Sequence, residues 1–142
     1  MPVDLKELLN GQGVAHIAHG IVTGAENYAA TQALLRQKNI GEYLFGVADF
    51  TLAESVKFST AELRGFAAAD SEVAKLTRPG WLVALVAPQD VVYGVARMWQ
   101  VFAEEVGWES KVCRSRNDAQ AWVIRNVKKK FGVELHEFVQ EM

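Results

Sequence analysis

The apolar positions of the chain change their spacing several times from one end to the other. Four segments carry the short apolar runs typical of strands, at residues 14–22, 43–49, 81–87 and 109–114. Four more carry apolar residues at helical spacing, at residues 25–38, 59–76, 90–106 and 116–130. The alternation predicts an α/β fold, with a sheet of four or five mostly parallel strands flanked by helices, because parallel strands need helical crossovers.

Local signals set the expected ends of these elements. Two capping boxes begin predicted helices, Thr23 with Glu26 and Ser59 with Glu62. The stretch 50–58 is predicted to be a loop, and the helix after it is predicted to end near residue 69, with a short second helix over 70–76. Residues 3–9 fit either a short helix or a strand, and residues 133–142 carry no clear pattern.

The segment 90–106 is predicted to be the most apolar helix of the chain. One stripe of it holds Val92, Val95, Ala96, Trp99, Phe102, Ala103 and Val106. Met98 and Val101 widen that stripe beyond what a surface helix usually needs. Either the helix packs on both the sheet and a neighbouring helix, or Met98, Val101 and the nearby Trp108 contact a second subunit, another protein or an apolar ligand.

The polar side of the same helix offers one candidate recognition pair. Tyr93 and Arg97 lie one turn apart. They could bind an anionic or polar group, or they could form a solvated contact worth a few tenths of a kcal/mol.

Composition limits the classes of function. The 142 residues are 50% hydrophobic and 23% charged, which fits one folded domain over 1–142. The net charge of −2 argues against a nucleic-acid partner, which needs a basic surface. The basic run Lys128–Lys130 ends a predicted helix, where cations complement the helix dipole.

The expected compartment is the cytoplasm. Cys113 is the single cysteine, so no disulfide can form within the chain, and this fits a reducing environment. No apolar stretch reaches the roughly 20 residues of a membrane span, and the first residues lack a signal pattern. We therefore expect no integral membrane association.

Candidate chemistry is sparse. His16 and His19 lie three apart on a strand and so should point to opposite faces, and His136 is distant, so no metal site is predicted. Cys113 is expected to be buried and inert. The motif Gly11-Gln-Gly13 precedes a strand instead of following it, so no nucleotide cofactor is predicted.

One group of polar residues could line a crevice. Asp49, Glu54 and Asp90 come where strands are predicted to end and helices to begin, and open α/β sheets bind ligands at the carboxyl ends of their strands. Ser59 and Thr60 lie at the start of the following helix. Paired carboxylates there could act as acid and base, but no nucleophile and base stand at a recognisable spacing.

Two stretches carry a family resemblance. The segment VALVAPQDVVYGVARMWQVFAEE followed by KVCRSRNDAQAWV, and the earlier Gly20-Ile-Val-Thr-Gly24 with Tyr28, resemble the SpoIIAA-like branch of the STAS superfamily, over roughly 14–125. The resemblance implies a helix-flanked sheet and a non-enzymatic role, in a branch of mostly small bacterial proteins. It also implies a distant similarity to CRAL-TRIO lipid-binding domains.

The resemblance directs attention to one regulatory position. Anti-sigma-factor antagonists of this superfamily carry a phosphorylatable serine in an Asp-Ser-Ser-Gly-type turn at a helix start. The corresponding region here, 58–61, keeps the hydroxyls of Ser59 and Thr60 but lacks the aspartate and the glycine. Ser59 already has a sufficient role as an N-cap, worth about 1 kcal/mol.

Three functions remain open at this stage. The first is a regulatory or interaction module that docks its apolar helix on a protein partner or on a second copy as a homodimer. The second is a binding domain for a small apolar or lipid-like ligand. The third is an enzyme that uses the crevice carboxylates.

Overall fold

The computed structural model describes residues 2–142, and its centre is a five-stranded sheet. The strands are β1 (Val3–Leu8), β2 (Gly13–Thr23), β3 (Phe45–Lys57), β4 (Leu82–Val86) and β5 (Glu109–Cys113). The helices are α1 (Gly24–Leu35), α2 (Thr60–Ala74), α3 (Asp90–Phe102) and α4 (Arg116–Phe131). The strands lie in chain order, with β1 antiparallel to β2 and all other pairs parallel. The predicted fold class is confirmed.

The first strand settles the choice that the sequence left open for residues 3–9. They form β1, which pairs with β2 as a hairpin. The chain turns between the two strands through Leu9, Asn10 and Gly11, all with positive φ. Because β1 is an antiparallel edge strand joined by a short turn, it needs no helical crossover and leaves little sequence signal.

Two predictions for residues 50–76 were wrong. The stretch 50–58 is not a loop, because β3 continues to Lys57 and pairs with β2 as far as Thr23, past two register shifts. The break predicted near residue 70 is also not there, because α2 runs unbroken to Ala74. Asp70 lies within this helix, and its carboxylate accepts a hydrogen bond from the indole of Trp99.

The helix predicted over 90–106 is shorter in the structure. The α-helix ends at Phe102, a 3-10 turn follows over Glu104–Val106, and Gly107 adopts a left-handed conformation with φ of 89°. Both predicted capping boxes are present, and Ser115 caps α4 by accepting a hydrogen bond from the backbone of Asp118.

The sheet is covered on both faces. Helices α1, α2 and α3 lie on one face, and α4 lies on the other with the C-terminal segment. Every residue of β4 is buried, as its unbroken apolar run predicted. In the C-terminal segment Leu135 and Phe138 are buried, and the ring of Phe138 lies 5.0 Å from that of Phe45.

Among residues 2–142, no helix is long and apolar enough to cross a membrane.

Candidate functional site

A cavity lies between the sheet and the three helices α1, α2 and α3. Its volume is about 110 Å³. The floor is formed by residues of β2, β3 and β4 that point to this face, and the walls come from the three helices. For comparison, an engineered apolar cavity of about 150 Å³ binds benzene. The space therefore suits a group of about the size of one aromatic ring.

The lining of the cavity is mostly apolar and rich in aromatic side chains. Three of the four tryptophans of the chain line it, at positions 81, 99 and 108, with Phe50, Phe58 and Phe66. Within residues 2–142, no lysine, arginine or glutamate is part of the lining, and Asp70 is its one acidic residue. A mostly apolar pocket with a few polar groups is the usual form of a small-molecule site.

His16 projects from β2 into this face of the sheet. Burial lowers its pKa to about 4, and the backbone of Ala30 partly offsets this effect. The imidazole is therefore neutral at pH 7. Its Nε2 atom is buried and has no hydrogen-bond partner among residues 2–142.

Trp81 supplies a second buried polar atom without a partner. The residue is 3% exposed, and its Nε1 hydrogen has no acceptor within the described chain. Its ring packs over Gly46, where a Cβ atom would lie 2.5 Å from Cη2 of the indole. The ring centres of Trp81 and Trp108 are 5.0 Å apart, and the two ring planes meet at 62°, which is an edge-to-face contact.

Asp70 is the ionisable acid of the lining. Burial raises the pKa of its carboxyl to about 7, although a hydrogen bond from Trp99 Nε1, 2.9 Å from Oδ2, lowers it. The pKa values of His16 and Asp70 are thus shifted in opposite directions, and each shift favours the neutral form of its group. Near pH 5.5 both His16 and Asp70 are uncharged.

The residues proposed as an apolar surface are divided by the structure. Met98 and Val101 are exposed, by 42% and 63%, whereas Trp108 turns inward and lines the cavity. The indole of Trp108 donates to Thr77 Oγ1 at 3.2 Å. Arg97, Val101 and Trp108 also line a shallow surface depression beside Gln100 and Glu104.

Tyr93 is paired with a different arginine from the one expected. The guanidinium carbon of Arg114 lies 3.9 Å from the centre of the Tyr93 ring. Arg97 is exposed on the next turn. The structure therefore gives the tyrosine a cation–π contact from the β5–α4 connection.

The crevice residues do not come together as one group of acids. Asp49 is fully buried and accepts a hydrogen bond at 2.8 Å from Nε of Arg116, on the α4 face of the sheet. Asp90 is 94% exposed and contacts Arg114 instead. Glu54 is exposed on the part of β3 that was predicted to be a loop.

Ser59 and Thr60, at the start of α2, are exposed. Ser59 Oγ accepts a hydrogen bond from the backbone of Glu62 at 3.1 Å, and Glu62 Oε1 accepts one from the backbone of Ser59. Thr60 is the first residue of α2. The capping role inferred for Ser59 is confirmed.

The remaining candidates lie apart from the cavity. His19 contacts Asp4 Oδ2 at 2.8 Å, on the opposite face of the sheet from His16. Cys113 is buried on the α4 face, and burial raises the pKa of its thiol. No group of three or more potential metal ligands occurs in the described residues.

Sequence reasoning missed the polar groups that the cavity brings together. From the sequence, no metal site is predicted at His16, a short helix is predicted over 70–76, and Trp81 begins a predicted strand. No local signal separates a tryptophan beside a cavity from one in a solid core. The unusual number of tryptophans was the one available hint.

Comparison with known proteins is informative for the fold. No family model matches the chain, and no curated protein matches it. The chain is similar to the crystal structure of an uncharacterised protein of the DUF3478 family with a SpoIIAA-like fold, from Shewanella loihica PV-4. The identity is 16% and the TM-score 0.54, over 85% of this chain and 91% of that one. The chain thus has a SpoIIAA-like fold, as the sequence resemblance implied.

Proposed function

We propose that this domain is a non-enzymatic binding module that holds a small, largely apolar ligand between its sheet and helices α1–α3. The observation that carries the proposal is the cavity of about 110 Å³, lined by aromatic and aliphatic side chains. Domain interiors are usually packed with few voids larger than a water molecule. An open, mainly apolar space of this size is therefore a candidate site and not ordinary packing.

The proposal is tested with toluene, a probe of one aromatic ring. Isothermal titration calorimetry and the fluorescence of the three tryptophans that line the cavity should both report saturable binding. At ten times its dissociation constant, the probe should raise the free energy of unfolding by about 1.4 kcal/mol.

Two adjacent alanines of α1 give a matched control. Ala30 is buried and lines the cavity, whereas Ala29 is exposed. Ala30→Leu should fill part of the space and abolish toluene binding, while Ala29→Leu should leave it unchanged. Equal effects of the two changes, or no saturable binding to the parent protein, would refute the proposal.

A second candidate function, self-association, is favoured by the outer face of α3. Val91, Gly94, Met98 and Val101 follow a three-four-three spacing, so they lie within about 80° of one another around the helix. Val91 is 75% exposed, and a Cβ at Gly94 would meet nothing within 4 Å. In an antiparallel pair of α3 helices, Met98 of each copy would lie over Gly94 of the other, with Val91 opposite Val101.

This stripe is self-complementary, as a two-fold interface requires. It is also short, and three exposed side chains supply much less than the roughly 800 Å² per partner of a stable complex. We therefore infer a weak homodimer. Sedimentation velocity from micromolar to millimolar protein should show it, and Met98→Glu should abolish it. Leu52→Glu, at another exposed apolar residue, is the control that should not.

A further inference from the structure

We propose that the ligand of the cavity carries an uncharged polar group with both a hydrogen-bond donor and an acceptor, such as a hydroxyl, and that His16 and Trp81 bind it. The inference rests on the proposed function, because it concerns the ligand of the same cavity. It adds the chemical class of that ligand: a small aromatic or aliphatic alcohol, and not a carboxylate or an amine.

His16 supplies the acceptor. Its Nε2 has no partner in the described part of the chain, while the backbone of Ala30 contacts the ring. We assign the single proton of the neutral imidazole to Nδ1, on the side of Ala30, so that a lone pair remains on Nε2. A donor from the ligand would satisfy this buried atom.

Trp81 supplies the donor. An indole Nε1 can only donate, and that of Trp81 has no acceptor among the residues that the structure describes. A buried polar atom without a partner costs free energy, so such atoms call for an explanation. A ligand oxygen that accepts from Trp81 and donates to His16 would remove both costs.

The two side chains belong to the same region of the sheet. The ring of Trp81 lies over Gly46 of β3, whose partner in β2 is Val14, and His16 is the next residue of β2 on that face. Both residues line the cavity.

The nearly uncharged lining favours an uncharged ligand over a charged one. No lysine or arginine among residues 2–142 lines the cavity, so a carboxylate would be buried without a counterion. An ammonium group would have Asp70 as its one acidic neighbour among residues 2–142, and a carboxyl with a pKa of about 7 is only partly ionised at pH 7. An uncharged group meets neither obstacle.

The test compares two probes of nearly the same size and shape, toluene and phenol, with benzoate and benzylammonium as charged probes. Dissociation constants are measured by calorimetry at pH 7. A solely apolar cavity prefers toluene, because phenol must leave its hydroxyl unpaired. We expect phenol to bind at least as tightly as toluene, and neither charged probe to bind.

Variants distinguish the effect of the two polar contacts on affinity from the effect of cavity shape. Trp81→Phe and His16→Leu should each lower the ratio Kd(toluene)/Kd(phenol) at least tenfold. Trp122→Phe and His19→Leu change the same residue types outside the cavity and should leave the ratio unchanged. Circular dichroism confirms that each variant is folded.

The possible failures can be told apart. If toluene binds but phenol binds at least tenfold more weakly, or if neither cavity variant changes the ratio, the inference is overturned while the proposed function stands. Ordered waters that already satisfied both nitrogens would give that second result. If neither toluene nor phenol binds, the proposed function itself fails.

Discussion

The indole of Trp99 donates a hydrogen bond of 2.9 Å to Oδ2 of Asp70, which joins α3 to α2 at the wall of the cavity. The contact holds a carboxyl group in a largely apolar place. Burial nevertheless dominates, and the pKa of Asp70 rises to about 7. The same surroundings lower the pKa of His16 to about 4. The pH dependence of stability follows from these two shifts.

Asp70→Asn should reveal the opposite contributions of the two groups. The folded state binds the proton of Asp70 more tightly than the unfolded state, so the contribution of Asp70 to stability falls as pH rises from about 4 to 7. The folded state binds the proton of His16 less tightly, so the contribution of His16 falls as pH decreases from about 6.5 to 4. In the parent protein these two trends oppose each other.

In the Asp70→Asn variant, only the pH dependence of stability that is due to His16 remains. Urea denaturation of Asp70→Asn should show stability rising by a few kcal/mol between pH 4 and 6.5, at about 1.4 kcal/mol per pKa unit. At pH 8 the variant should be more stable than the parent protein. Glu72→Gln, at an exposed residue of α2, should follow the parent curve at every pH. A parent-like curve for Asp70→Asn would contradict the burial of its carboxyl.

Gly46→Ala should destabilise the protein and close the cavity. The new Cβ would lie 2.5 Å from Cη2 of Trp81, so the indole must move. Overpacking of this kind costs about 1–3 kcal/mol. Chemical denaturation should show that loss, and toluene binding should weaken because the displaced ring enters the cavity.

The control is Gly65→Ala in α2, where a Cβ meets nothing within 4 Å. There, alanine should stabilise the helix by about 0.5–1 kcal/mol. An equal stability change at both glycines would contradict the contact between Gly46 and Trp81.

Asp49 and Asp90 should differ sharply, although each contacts an arginine. Asp49→Ala removes the carboxylate that pairs with Arg116, whose side chain is 23% exposed. It also removes the acceptor for the backbone N–H and the hydroxyl of Thr51. Breaking a buried pair in this way costs about 3–5 kcal/mol. Asp90 is 94% exposed, so Asp90→Ala should change the free energy of unfolding by less than about 1 kcal/mol.

Thermal and urea unfolding measure both variants. Ligand binding should survive in each folded variant, because neither aspartate lines the cavity. Comparable losses of stability at the two positions would mean that Asp49 is not the buried member of the two.

Some parts of the site were within reach of the sequence and others were not. The wide apolar stripe of α3 could be predicted from its spacing. In the structure, its residues divide into an inner group and an outer group. Val92, Ala96 and Trp99 face the sheet and the cavity, while Met98 and Val101 face outward. The spacing could not divide them, because that division depends on where α2 and the sheet lie.

The grouping of acids was beyond sequence reasoning for a similar reason. The sequence predicts that β3 ends near residue 49. That end would place three acids, Asp49, Glu54 and Asp90, at the same end of the sheet. The strand continues for eight further residues because β2 extends beside it. Asp49 therefore points to the α4 face and pairs with Arg116, a residue 67 positions later in the chain.

The SpoIIAA-like fold was implied by the resemblance of two stretches to a known family. Other features could be predicted from the residues themselves: the order of strands and helices after the first hairpin, and the caps at Thr23 and Ser59. These follow from hydrophobic periodicity and from hydrogen bonds between residues three apart, which are local properties. Tertiary structure alone decided the cavity, the shifted pKa values of His16 and Asp70, and the unpartnered nitrogens of His16 and Trp81. Such features arise from the space left when three helices pack on one sheet, and that space is a property of no single segment.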